Sequence, residues 1–178
     1  MRHKDDRGKT HITPAIYRRF CWFGVRYHNR KINRIVFVLC LLYLILGVFS
    51  TDIGSLIQAI VTDIIVAALM LSIYIVSISR MVKNFPQNNP MAADAIDIFS
   101  FDDERINIET SGELQNGTIE FSYDIFFNVY ETKDSFYLYN SNLTAYLLPK
   151  SDFTQGTPEE LRQLFQTKLA TDKFKIYH

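Results

Sequence analysis

Between Ile35 and Ser79 the chain has no lysine, arginine or histidine, and its only acids there are Asp52 and Asp63. Cysteine is almost as scarce. Cys21 and Cys40 are the only two in 178 residues, which excludes a disulfide-built secreted scaffold. After His28 no histidine recurs until His178, so no metal-ligand spacing on one helix face can be read. The glycine-rich phosphate loop, G-x-S-x-G and H-E-x-x-H are all missing. Without them, or a nucleophile beside a base, the expectation is a non-enzymatic protein with no cofactor and no metal. Apolar residues make up 48% of the chain, too many for a disordered one.

Charge is present but unevenly distributed. Residues 1–34 hold ten basic and two acidic side chains, net +8. Residues 86–178 hold seven and fifteen, net −8. The uncharged run Ile35–Phe49, extended to Ile32 and Thr51, reaches the roughly 20 residues that cross a bilayer core. A second apolar run follows from about Leu56 to Ser79, after a connection of at most Ser50–Ser55. Segments so close are expected to run antiparallel in contact, forming a transmembrane helical hairpin over residues 35–79. A signal peptide fits poorly: the basic stretch is too long, no small-residue cleavage site follows Phe49, and a second span comes next. Arg18, Arg19, Arg26, Arg30, Lys31 and Arg34 precede the first span, and Arg80 and Lys83 follow the second. The positive-inside rule then places both termini in the cytoplasm.

Two polar residues lie within the second apolar run. A mid-membrane carboxylate costs about 2.5–3.5 kcal/mol on insertion scales, so Asp63 needs a reason to be there. It is either an ion or proton site or a polar contact to the neighbouring helix. Gln58 is five residues away, about 140° round the helix, and shares no stripe with it.

Thr13-Pro14 is a helix start, with Thr as N-cap and Pro at the first helical position. Ile16, Phe20, Phe23 and Tyr27 then recur on one face, interleaved with arginines. This pattern predicts an interfacial amphipathic helix within the basic segment 1–34. Arg18, Arg19, Arg26, Arg30 and Lys31 are candidate contacts to anionic lipid, or a topology anchor. Next to a span, this segment is not expected to bind nucleic acid.

Pro86 and Pro90 are expected to end the second helix and open an extended linker over residues 80–94. Beyond it the period becomes two. Ile96/Ile98/Phe101, Ile106/Ile108, Ile119/Phe121/Tyr123, Ile125/Phe127/Val129, Phe136/Leu138 and Ala145–Leu148 read as short strands separated by polar turns. Thr157-Pro158-Glu159-Glu160 is a capping box for a helix whose Leu161, Leu164, Phe165 and Leu169 share one face. Lys173–Tyr177 alternates as a short edge strand. The expected domain, residues 95–178, is α+β: a partly open antiparallel barrel of about six strands capped by a C-terminal helix. By analogy this is a pleckstrin-homology-like layout. Alternation puts half of the aromatics inside and leaves Tyr130, Tyr137 and Tyr139 as a candidate partner-binding face. Pro149 ends a strand and sets Lys150 at the rim, as a candidate headgroup contact or a solvated lysine.

Ile119–Thr132, Phe136–Tyr139, Ala145–Phe153 and the helix from Pro158 together resemble the bacterial YcxB-like proteins. Glu131-Thr132 and Pro149-Lys150-Ser-Asp-Phe153 are the most specific pieces, and the resemblance runs over roughly residues 13–170. At Tyr123 that family usually carries tryptophan. The resemblance implies a bacterial inner-membrane protein with a hairpin and a small cytosolic sheet domain, and it implies no reaction. The leading expectation is a membrane-anchored module whose sheet domain binds a protein partner or assembles with itself. One alternative is an anionic-headgroup sensor. A third is a small transporter or channel subunit using Asp63.

Overall fold

The alternation read from Ile96 onward appears as strands in a computed structural model, which describes residues 6–28, 30–49, 53–142 and 144–177. The chain forms two compact units. One comprises residues 17–84, and the other joins residues up to 16 with Phe85 onward.

The helical unit begins in α1 (Pro14–Phe23), which Thr13 caps by accepting from the Ile16 N–H at 3.3 Å. A π-helical turn, Gly24–His28, follows and leads to α2 (Arg30–Phe49). Then comes α3 (Ile53–Asn88), whose 36 residues span about 54 Å. Among the described residues α3 is the one helix long and apolar enough to cross a membrane. Few residues in its most apolar stretch are buried, and α2 is a shorter apolar helix with its large side chains largely exposed. The two helices approach closely at a pair of small residues. A Cβ added to Gly47 would lie 2.9 Å from that of Ala59, which is itself buried. Cys21 of α1 packs with Ile78 and Val82 of α3.

Contrary to the expected extended linker, α3 runs through Pro86 and a short helix α4 (Pro90–Asp94) follows at once. Pro86 forfeits one hydrogen bond to the preceding turn, but α3 ends two residues later. The Asn89 N–H still reaches the Phe85 carbonyl at 2.9 Å.

The sheet unit is α+β, built from two sheets that do not close into the expected six-stranded barrel. The first sheet holds β1 (Asp6–His11), β2 (Ile96–Phe101), β3 (Arg105–Ser111), β4 (Asn116–Ser122) and β8 (Phe153–Gln155). Their order is β4-β3-β2-β1-β8. The second holds β5 (Asn128–Glu131), β6 (Ser135–Tyr139), β7 (Ala145–Pro149) and β9 (Phe174–Ile176), in the order β7-β6-β5-β9. A 3-10 turn at Tyr123–Ile125 carries the chain from β4 to β5 and separates what one meander would have joined. The second sheet is mixed, because β9 runs parallel to β5.

β1 was not anticipated as a strand. It lies between β2 and β8, with Gly8 opposite Phe99 and Thr10 opposite Asp97. A Cβ on Gly8 would come within 2.6 Å of a Leu148 methyl, so glycine is what lets this strand sit so near β7. α5 (Pro158–Lys168) closes the core, with Thr157 accepting from the Glu160 N–H at 3.2 Å as the capping box predicts. Leu161 and Phe165 are fully buried in a cluster that includes Phe99, Phe101, Ile106, Ile108, Phe136 and Leu138. Phe165 meets Phe101 and Phe136 edge-on at centroid distances of 5.8 and 5.9 Å.

Candidate functional site

A buried carboxylate of the sheet unit, Glu131, meets α5. Thr132 shapes the β5–β6 hairpin: its hydroxyl donates to the Ser135 carbonyl at 2.9 Å and accepts from the Ser135 N–H at 3.1 Å. Glu131, one residue earlier, points into the interior and is 1% exposed. Pro149 ends β7, and the turn Lys150–Asp152 folds back over that hairpin, with the Lys150 N–H on the Asp134 carbonyl at 2.9 Å. The Lys150 ammonium therefore lands on Glu131 Oε1 at 2.5 Å and lies 5.2 Å from the Phe136 ring centre.

Arg162 descends from α5 and makes a two-pronged contact, Nε to Oε2 at 2.7 Å and Nη2 to Oε1 at 2.5 Å. Burial alone would push the Glu131 carboxyl up, but Arg162 and then Lys150 outweigh it and hold it below the usual carboxylate range. Glu131 in turn pushes the Arg162 guanidinium up. The Glu131 carbonyl also receives the Tyr177 N–H at 2.8 Å, beside β9. The carboxylate thus ties together β5, the turn after β7 and α5, and the backbone carbonyl of the same residue holds the tail. With both oxygens engaged by cations, the carboxylate is a clamp rather than an available base or nucleophile.

The structure corrects two sequence readings. Lys150 is neither a headgroup contact nor a solvated lysine, because its ammonium is spent on Glu131 and is 19% exposed. Tyr137 and Tyr139 are buried, because β6 is covered on both faces, and they form no exposed partner-binding face. Tyr130 is half-buried between the Tyr139 and Tyr177 rings at 5.4 and 5.8 Å. Burial and the neighbouring Tyr177 push its hydroxyl up.

Of the candidate lipid contacts, Arg18, Arg19 and Arg26 are exposed along α1 and the turn after it, with Arg26 5.6 Å from the Tyr27 ring centre. Arg30 and Lys31 begin α2, and their side chains lie outside the described residues. Asp63 lines a groove of about 390 Å³ between α2 and α3, together with Asn33, Phe37, Cys40, Met70 and Tyr74. Cys40 lines the same groove, and the Asp63 Oδ2 is buried there without a partner among the described residues. The Tyr74 hydroxyl donates to Asn33 at 2.8 Å, and Asn33 donates to the Val25 carbonyl at 3.1 Å. Gln58 is exposed and lies off this groove.

A feature that sequence reading missed is a cleft of about 460 Å³ between the β4 and β7 sides of the sheet unit. Asp97, Thr110, Ile119, Tyr146 and Met91 are among its lining residues. Thr110 donates to Asp97 at 2.7 Å, yet burial still holds the Asp97 carboxyl above its usual range. No sequence signal marks this cleft, because its walls come from six separate elements. Among the described residues no three His, Cys, Asp or Glu side chains cluster as a metal cage requires.

Residues 101–165 match the family model of the YcxB-like proteins. The matched stretch runs from the end of β2 into α5 and contains Glu131, Lys150 and Arg162, while β1, α2 and α3 lie outside it. The resemblance read from the motifs is thereby shown for this stretch. No curated protein and no solved structure matches the chain.

Proposed function

We propose that this YcxB-like chain is a non-enzymatic membrane-anchored interaction module. In this reading α2 and α3 cross a bacterial inner membrane as an antiparallel pair. Both termini are cytoplasmic, and the pleckstrin-homology-like sheet unit binds a protein partner or a second copy there. The observation that carries it is the pairing of β1 with β2. Residues 6–11 and 96–101 share one sheet, so the intervening chain must return to the side it left. One crossing would forbid that pairing, whereas none or two allow it, and the two apolar helices between the strands favour two. The absence of basic residues between Ile35 and Ser79 supports the same orientation.

Labelling with a membrane-impermeant maleimide tests the topology, with Cys21 and Cys40 replaced by Ser. Gly54→Cys is expected to react from outside intact cells. Gln155→Cys is expected to react only after permeabilisation. The reverse pattern, or protection of both sites in spheroplasts, would sink the two-pass reading.

With Lys150 spent on Glu131, headgroup sensing rests on the basic segment before α2, where Arg18, Arg19 and Arg26 are exposed among the described residues. The transporter reading keeps one specific observation, the Asp63 Oδ2 that has no partner among the described residues of its groove. For an anchor, Asp63→Asn is expected to leave membrane level and assembly unchanged. A proton-flux difference between the two proteins in liposomes would favour transport instead.

A further inference from the structure

β4 is an edge strand whose one usual protection is the charge of Glu120. Seven residues long, Asn116–Ser122, it pairs in unbroken register with β3 and has no second neighbour among the described residues. It contains no proline and no lysine, and its register shows no bulge, the devices that keep sheet edges from joining. Six of its seven residues are exposed. Its inward face also stops unfinished. Ile106 and Ile108 of β3 are fully buried, but Ile119, opposite Ile108, is 42% exposed. Gly117, two residues along the same face, has open space where a side chain would stand.

Resting on the interaction-module reading, we propose that β4 is where two copies of this chain join, strand to strand and antiparallel, with Ile119 opposite Ile119 of the second copy. The argument for a second copy is self-complementarity. Antiparallel pairing about Ile119 sets Phe121 opposite Gly117, an aromatic ring beside an edge glycine, in both halves. It sets Thr118 opposite Glu120, so the strand's one charge never faces its own copy. Glu120 is already neutralised by Arg105 at 2.8 Å. The same arrangement brings the exposed Leu114, ahead of one β4, towards the exposed Ile125 beyond the other. The inward face Gly117-Ile119-Phe121 then continues into its own repeat, and the two five-stranded sheets become one.

Cysteine pairs in native membranes test this, in full-length protein with Cys21 and Cys40 replaced by Ser. Ile119→Cys is expected to give a disulfide-linked dimer on mild oxidation, at least tenfold faster than Gln166→Cys on the exposed side of α5. Thr118→Cys and Glu120→Cys are expected to cross-link with each other when co-expressed and far more slowly with themselves. Ile119→Lys is expected to turn dimer into monomer in native mass spectra, with near-ultraviolet circular dichroism unchanged. Efficient self-linkage at Thr118→Cys would mean another register and overturn the proposal. An oligomer that neither links through Ile119→Cys nor responds to Ile119→Lys would overturn it while leaving the interaction reading standing. A wild-type monomer with no bound protein after gentle extraction would overturn both.

Discussion

Glu131→Gln is expected to destabilise the sheet unit by about 3 kcal/mol at neutral pH, near the lower end for losing one member of a buried ion pair. The lower end applies because the stranded cations still reach water, Lys150 at 19% and Arg162 at 29% exposed. Lys150→Met leaves the Arg162 fork in place and should cost less, about 1.5 kcal/mol for a charged hydrogen bond. Urea titration of the full-length protein in nanodiscs, read by near-ultraviolet circular dichroism, measures both. Equal effects of the two substitutions would refute the clamp geometry.

The pH dependence follows from the depressed Glu131 carboxyl. Its contribution is fully present above the ordinary carboxylate value near 4.3 and is lost as pH falls through its lower folded value. The gap between wild type and Glu131→Gln should therefore be largest at neutral pH and close in acid. Asp97 supplies a control of opposite sign. Its carboxyl is raised by burial, so ionisation opposes folding above the raised value. Asp97→Asn should stabilise at neutral pH, and that gain should vanish as pH falls to the ordinary carboxylate range. The Asn amide oxygen can still accept from Thr110.

Removing β1 should have the largest effect of any change to the sheet unit. Residues 95–178 expressed alone are expected to remain unfolded or aggregate, because β2 and β8 would lose their shared neighbour. Six register pairs join β1 to β2, and Gly8 and Thr10 are buried within the sheet. Replacing residues 17–84 with a flexible Gly/Ser linker should restore a folded soluble protein, since the linker keeps β1 attached. Amide hydrogen exchange across Ile96–Ser111 separates the outcomes. Protection in the linked protein and none in the truncated one is expected. Equal protection in both would show β1 to be dispensable.

That dependence also shows where sequence reading stops. Most of the strands from Ile96 to Leu148 were legible because apolar and polar residues alternate along them. β1 carries no such mark. Arg7, Lys9 and His11 alternate with Gly8 and Thr10, and a strand whose buried positions are small looks like a polar tail. The helix after Thr157 was legible from its cap and spacing, both local. The tyrosines were misplaced because alternation separates two faces without telling whether both are covered, as they are on β6. Glu131-Thr132 and Pro149-Lys150 stood out as motifs, but their meaning required the turn that brings them within 2.5 Å. Arg162, the third member, had no local signal at all.

The placement of β1 has a consequence for biosynthesis. β1 is made well before its partners: His11 bonds to the carbonyl of Ala95, 84 positions later. The Arg7 carbonyl receives Thr154, 147 positions later. At roughly 5–20 residues per second, a nascent β1 waits about 4–17 s for β2 and longer for β8. Both apolar helices emerge during that interval. If they insert as a pair, β2 arrives on the side where β1 waits. If only one inserts, the two strands are parted by the bilayer and the sheet stays open to quality-control proteases. On the proposed two-pass reading, the pairing of β1 with β2 is thus completed only when both helices have inserted.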